Sequence, residues 1–192
     1  MDKINKKDQL KYYKFLNSLP KKINKLYFGK LRGKFKLNNK SKKRNGFDPV
    51  TNIDKTLELF LRKEIKKKFP KDGIIGEEFK TKKTKSNFSW VIDPIDGTRS
   101  FVIGSPTWSN LISINYNNEP ILGLVNFPML KKYYITGTNN NSYLVENNKF
   151  KKLKVIKSKS LNNSKIAGNF FGWLTPDEQK KISWRRYNWR RI

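Results

Sequence analysis

The stretch Trp90-Val91-Ile92-Asp93-Pro94-Ile95-Asp96-Gly97-Thr98 decides how this chain is read. An apolar run stops abruptly at Asp-Pro, because proline has no N–H to donate and fixes its own φ. Trp90 to Asp93 is therefore predicted as a buried strand, with the carboxylates of Asp93 and Asp96 hung at its carboxyl end. That edge is where α/β sheets place their ligands. A glycine and a hydroxyl follow at once, at Gly97 and Thr98. Carboxylates, glycine and hydroxyl in this order make a site for a hard cation and a phosphate.

Upstream of it, Ile74-Ile75-Gly76 reads as a short strand that delivers Glu77 and Glu78, after a turn at Asp72-Gly73. Lys80 to Asn87 is a basic loop. Thr51 to about Phe69 is predicted as a helix, with Thr51 as N-cap and Asp54 at the third following position, close to a capping box. Ile53, Leu57, Phe60, Leu61 and Ile65 recur there at helical spacing. Residues 9 to about 33 also read as helix, with Leu10, Tyr13, Phe15, Leu16 and Leu19 as its apolar stripe and Pro20 interrupting or restarting it. Residues 36 to 49 are polar and read as a loop.

Downstream, Leu111–Tyr116, Ile121–Phe127 and Tyr133–Thr136 form a predicted meander with a turn at Asn117-Asn118-Glu119-Pro120. Two short strands, Tyr143–Val145 and Lys152–Ile156, flank Asn147-Asn148. A polar linker at 157–164 follows, and Thr175-Pro176 has the form of a helix start. The predicted organisation is a metal- and phosphate-binding αβ domain over 1–156 and the start of a second αβ domain over 157–192.

Composition narrows the chemistry. The chain has no cysteine and no histidine. Disulfides, thiol nucleophiles, Ser-His-Asp triads and His- or Cys-ligated zinc are excluded. A metal here must be a hard ion held by oxygen, which favours Mg²⁺, Mn²⁺ or Ca²⁺. The net charge of +28 attracts polyanions, nucleic acid included, but the lysines are spread along the whole chain and form no sharp block. A lysine-rich coding bias accounts for that spread better than a nucleic-acid surface does. The acids are less even: nine of the 15 fall between Asp48 and Asp96, which marks where cations can be held. With no long apolar run and no apolar leader, the expectation is a cytoplasmic protein without a membrane span.

If the two strands are neighbours, Glu77 and Asp93 can share one ion and Asp93 and Asp96 a second. Two hard cations about 3.5–4 Å apart activate a water and stabilise a leaving phosphoryl oxygen. The Ile95 carbonyl, freed by the Pro94 turn, can point at the metal. The N–H groups of Gly97 and Thr98 suit phosphate oxygens, and Thr98 can orient the attacking water if Asp54 holds its hydroxyl. Taken singly, each piece has a plainer reading: Glu77-Glu78 as a solvated turn, and Asp54 as a helix-start charge favoured by the macrodipole.

Gly76-Glu77-Glu78 followed by Trp90 to Thr98 closely resembles the inositol monophosphatase family of Mg²⁺-dependent phosphatases, and Asp48-Pro49-Val50-Thr51-Asn52-Ile53-Asp54 is similar to that family's upstream segment. The resemblance covers roughly residues 9 to 180. It implies an α+β fold, a layered αβαβα sandwich with N-terminal helices packed on an antiparallel sheet. It implies metal ligation by Glu77, Asp93, the Ile95 carbonyl and Asp96, with Mg²⁺ as cofactor. Asp54 and Thr98 then activate the water, with Glu77 counted among the catalytic groups, and a small phosphorylated substrate meets Glu77, Ile95, Asp96, Gly97 and Thr98. Gly97-Thr98-Arg99-Ser100-Phe101, with Gly104 to Trp108 behind it, resembles the histidinol-phosphate branch, ahead of inositol and nucleotide phosphatases. Arg99 reads there as a substrate contact or, equally, as a surface arginine. Relatives are often dimers, which implies a homodimer.

The resemblance also implies a later Gly-Asp segment and a Trp-Asp motif whose aspartate binds metal and substrate. Neither occurs through Ile192. The expectation is a second half that is incomplete and a half-site with weak or no turnover, or an inactive remnant that binds polyanions.

Overall fold

The computed structural model describes residues 4–40 and 49–155, with the backbone alone at Pro49 and Val50. Asp48, the linker at 157–164 and the helix start at Thr175 lie outside the described residues. The chain divides into two compact units, Met1–Lys154 and Val155–Ile192, and of the second only Val155 is described.

Helix α1 (Lys6–Leu26) begins on Asn5, whose side chain accepts the Lys7 N–H at 2.9 Å. It buries Tyr12, Leu16, Leu19, Pro20 and Ile23, and runs on into a π-helical turn at Tyr27–Leu31. The predicted break at Pro20 does not occur. An interior proline costs about 3 kcal/mol, whereas each buried leucine or isoleucine beside it contributes roughly 1.5–3 kcal/mol. The buried stripe is also rotated from the predicted one, since Tyr12 is buried and Leu10 is exposed.

Helix α2 (Asn52–Lys68) has the predicted start. The Thr51 hydroxyl accepts the N–H groups of Ile53 and Asp54, and the Asp54 carboxylate reaches back to the Thr51 N–H, a complete capping box. Ile53, Leu57, Leu61 and Ile65 are buried on one face.

Strands β1 (Leu37–Asn39) and β2 (Pro49–Thr51) pair antiparallel, where the sequence reads as loop. All three β1 residues are exposed, so no alternation marked it.

A seven-stranded sheet runs in sequence order: β3 (Gly73–Gly76), β4 (Phe88–Asp96), β5 (Ser109–Tyr116), β6 (Glu119–Phe127), β7 (Lys132–Thr136), β8 (Ser142–Glu146) and β9 (Lys149–Lys152). The sheet is mixed rather than purely antiparallel, because β3 runs parallel to β4 at one edge. Lys82 in the intervening loop bridges back to Ile74 and covers that edge. The hairpin turns at Asn117-Asn118 and Asn147-Asn148 place both residues at positive φ, the conformation that matches strand twist and that asparagine tolerates. One core gathers α1, α2 and the inner face of the sheet through Trp90, Ile92, Ile112, Ile114, Leu122 and Leu124. Tyr12 stacks between Phe69 and Phe88, at 4.3 and 4.2 Å, and donates its hydroxyl to buried Asp72 at 2.8 Å. Asp72 also accepts from Trp90 Nε1 at 3.0 Å and Ser86 Oγ at 2.8 Å.

The end of β3 is fixed from α2. Glu58, fully buried, accepts the Glu78 N–H at 2.7 Å and pairs with Arg62 Nε at 2.7 Å. Arg62 donates in turn to the Phe79 carbonyl at 3.0 Å. A Cβ on Gly76 would collide with the Glu58 carboxylate. One ion pair thus holds the backbone on the far side of Glu77.

Removing one partner of such a pair leaves a buried charge without compensation. Arg62→Met is expected to cost about 3–5 kcal/mol, with the double variant Glu58→Leu, Arg62→Met recovering much of it. Urea denaturation reads both. Equal losses in the single and double variants would show that the ion pair is not what holds the turn.

Candidate metal and phosphate site

Parallel pairing sets Gly76 beside Ile92, so the next residues follow side by side, Glu77 just past the end of β3 and Asp93 still within β4. The neighbourhood that the sequence required of these two strands is the one observed. On the other side, β4 pairs with β5 as Asp93 with Leu111 and Asp96 with Ser109. Two residues, Pro94 and Ile95, therefore stand opposite the single residue Asn110, which is a β-bulge. Proline belongs at such a place, since the ladder needs no N–H there.

The Asp93 carboxyl is held far above the usual carboxylate range. Burial, then the negative charge of Glu77, then that of Asp96, push its carboxyl up to about 7, against a hydrogen bond from the Ile95 backbone. Its Oδ1 is shielded from solvent with no hydrogen-bond donor among the described residues. Hydrogen bonding with Glu77 favours the protonated carboxyl further.

Asp96 is exposed, and its Oδ2 accepts the Ser109 hydroxyl at 3.2 Å. Ile95 is buried, and its carbonyl accepts the Thr98 hydroxyl at 3.1 Å. Gly97, at φ 80°, precedes the short helix α3 (Thr98–Val102) in a left-handed conformation that other residues rarely adopt. Arg99 lies exposed in that helix.

Asp54 is buried, and both its bonds at Oδ2 come from Thr51, the N–H at 2.8 Å and the hydroxyl at 2.5 Å. Burial raises its pKa, opposed by those bonds and by the charge of Lys40. No hydrogen bond joins Asp54 to Thr98 among the described residues: Asp54 faces its own cap, and Thr98 faces Ile95.

Three contributors were not singled out from sequence. Lys40, at the end of β1, places its ammonium 2.5 Å from Glu78 and 3.2 Å from Glu77. Burial alone would lower its pKa, but the bonds to Glu78 and Glu77 outweigh burial and raise it. Nothing in a chain with 43 Lys and Arg distinguishes this lysine. Glu58 and Arg62 did leave a signal, an acid and a base four residues apart beside the apolar stripe of α2.

No three acidic side chains close into a preformed metal shell among the described residues. Glu77 is drawn toward Lys40, and Asp96 toward Ser109 and solvent. What the turn presents is one buried carboxylate oxygen without a donor, flanked by two further carboxylates and a carbonyl.

Comparison with known proteins identifies the family. The model of the inositol monophosphatase family matches residues 8–187. The chain is 38% identical over 96 residues to a histidinol-phosphatase of Chlorobaculum parvum, covering 50% of this chain and 37% of the relative. It is 31% identical over 136 residues to a histidinol-phosphatase of Mycobacterium tuberculosis, covering 70% of this chain and 52% of the relative. A relative named inositol monophosphatase 2 from Saccharomyces cerevisiae matches as well. The crystal structure of an IMPase/NADP phosphatase complexed with Mg²⁺ and phosphate superposes with a TM-score of 0.63 at 25% identity, over 71% of this chain and 51% of that one. The chain spans about half the length, or less, of the curated relatives it matches. With a family match over residues 8–187 and solved structures of that family sharing its fold, the chain belongs to the inositol monophosphatase family.

Proposed function

We propose that this chain carries the cation- and phosphate-binding turn of a Mg²⁺-dependent phosphomonoesterase that acts on a small phosphate monoester, with L-histidinol phosphate as the first candidate. The observation that carries the reading is Asp93 Oδ1, a buried carboxylate oxygen without a donor, between the charges of Glu77 and Asp96. An all-oxygen donor set in a chain without histidine or cysteine suits a hard divalent cation. Glu77, Asp93, the Ile95 carbonyl and Asp96 are the residues to hold it. When bound, the cation supplies Lewis-acid polarisation of the phosphoryl group and a lowered pKa for its water.

The chain's own residues do the rest. Asp54, whose raised pKa favours accepting a proton, and the Thr98 hydroxyl orient and deprotonate the attacking water. This requires Thr98 to turn from the Ile95 carbonyl toward the substrate side. The N–H groups of Gly97 and Thr98 receive phosphate oxygens, and Arg99 contacts the substrate. Lys40 neutralises Glu77 and Glu78 until a cation takes the place of its charge on Glu77. The histidinol-phosphatase names of relatives support the first substrate. Inositol monophosphate is the second, supported by inositol phosphatase names. No described helix is long and apolar enough to cross a membrane.

Phosphate release from L-histidinol phosphate and from myo-inositol 1-phosphate, with and without Mg²⁺, tests the reading. Mg²⁺-dependent release that Asp93→Asn reduces to background is expected. Release that persists in that variant, or in EDTA, sinks the reading.

The raised pKa of Asp93 fixes a sign. A carboxyl raised in the folded state contributes stability that is complete below its unfolded value, about 4, and is lost as pH rises through the folded value. For Asp93 that folded value is about 7. Asp54 and Glu78 are shifted the same way by burial. A divalent cation favours the ionised form and opposes the loss. Mg²⁺ is therefore expected to raise the melting temperature clearly at pH 8 and little at pH 5. Equal stabilisation at both would show that Asp93 does not face the cation.

A further inference from the structure

Asn110 sits on β5 opposite the bulge formed by Pro94 and Ile95, and is 1% exposed. Its side-chain Nδ2 donates to the Pro94 carbonyl at 2.6 Å. Its Oδ1 accepts from Nδ2 of Asn126, the residue registered directly across on β6, at 2.8 Å. Asn126 uses its other N–H on Oδ1 of Asn24 in α1, at 3.0 Å. Three amides from three elements thus end on the one carbonyl that lies between Asp93 and Ile95.

Stability does not explain this arrangement. Asn126 is 1% exposed, and its own carbonyl oxygen is buried with no partner among the described residues. An apolar side chain at that position would avoid leaving a buried acceptor unmet. What the amide provides there is two donors, one to each neighbour. Further in along the same face of β5, Ile112 and Ile114 fill the core with ordinary aliphatic packing. The polar exception coincides with the bulge.

The bulge has a need that these amides meet. Where two residues oppose one, ladder bonds are interrupted and backbone groups lose their usual partners. The peptide between Pro94 and Ile95 can rotate unless its carbonyl is held. Rotation there would swing the Ile95 carbonyl and both flanking aspartates. Ser109, the preceding residue of β5, holds Asp96 at 3.2 Å. Two consecutive β5 side chains therefore fix the turn at two points, its carbonyl and its carboxylate.

We propose that the Asn24–Asn126–Asn110 chain of amides is a positioning device, with Asn110 as its acting residue, that fixes the Asp93–Asp96 turn and thereby its affinity for a divalent cation. This rests on the phosphatase reading above.

The test uses the whole chain and Mg²⁺ alone. Asn110→Val removes the donor to Pro94. Asn126→Val removes the amide that orients Asn110, and Asn24→Ala removes only the outer acceptor, on a half-buried helix position that endangers folding least. Ile114→Val is the matched core control. Calorimetry reads Mg²⁺ affinity, and the ¹³C resonance of the Pro94 carbonyl, detected through the Ile95 amide, reads its hydrogen bond. Asn110→Val should weaken Mg²⁺ binding by about 10- to 100-fold, the range seen for partners behind metal ligands. Asn126→Val should act in the same direction and less, Asn24→Ala least, with the carbonyl resonance moving in that order. The control should lower the melting temperature and move neither. An unmoved carbonyl resonance in folded Asn110→Val or Asn126→Val overturns the proposal. So does a moved resonance with unchanged Mg²⁺ affinity. A wild-type chain that binds no Mg²⁺ instead overturns the phosphatase reading and the claim on affinity, while the resonance still decides whether the amides set the turn.

Discussion

A carboxylate taken out of water costs several kcal/mol unless something compensates its charge. Among the described residues, five are shielded near one sheet edge and four are answered, one of them Glu78, whose side chain is 2% exposed and paired with Lys40. Asp72 receives hydrogen bonds from Tyr12, Trp90 and Ser86. Glu58 has Arg62 and the Glu78 N–H. Asp54 has the hydroxyl and N–H of Thr51. Asp93 alone keeps a shielded oxygen with no donor and two negative neighbours. Asp72 and Glu58 are structural in effect, since each ties a helix or loop to the sheet, whereas Asp54 bonds only its own cap. The unanswered one is the carboxylate on which the proposed cation would act.

The surrounding structure keeps Asp93 in that state. Parallel pairing of β3 with β4 brings Glu77 alongside. The ion pair on α2 fixes the backbone just past Glu77, so that side chain cannot retreat with its turn. On the opposite side, the bulge lifts Pro94 and Ile95 out of regular pairing and puts Asp96 within reach of Ser109. The pairing and the ion pair act on backbone, and only the Ser109 hydroxyl reaches a carboxylate, Asp96 Oδ2. Asp93 Oδ1 is left without a donor, as a ligand site requires.

Lysine has two roles here that differ in kind. The overall charge of +28 gives a field that draws phosphorylated molecules toward the chain without specifying which. Lys40 is specific: its ammonium bridges Glu77 and Glu78 and offsets the repulsion that Asp54 and Glu77 exert on Glu78. A charge so placed holds the acids together at the cost of competing with any cation that Glu77 would bind.

Much of this was legible in the residues themselves. Asp-Pro after an apolar run marks a strand end, Thr51 with Asp54 marks a helix start, and Asn-Asn pairs mark tight turns, because each signal acts within a few residues of itself. The strand end that carries Asp93 and Asp96 was legible for the same reason, as was the family. Three things were not. The path of α1 through Pro20 depends on burial of Leu16, Leu19 and Ile23 against other elements, which local propensity does not contain. Strand β1 exists through its partner, with no pattern of its own. The amides at Asn24, Asn110 and Asn126 and the choice of Lys40 among so many lysines depend on which distant segments meet. Sequence determined the chemistry available at the turn, since that chemistry is written in adjacent residues. Tertiary structure alone decided which carboxylate stays without a donor, because that depends on every group packed around it.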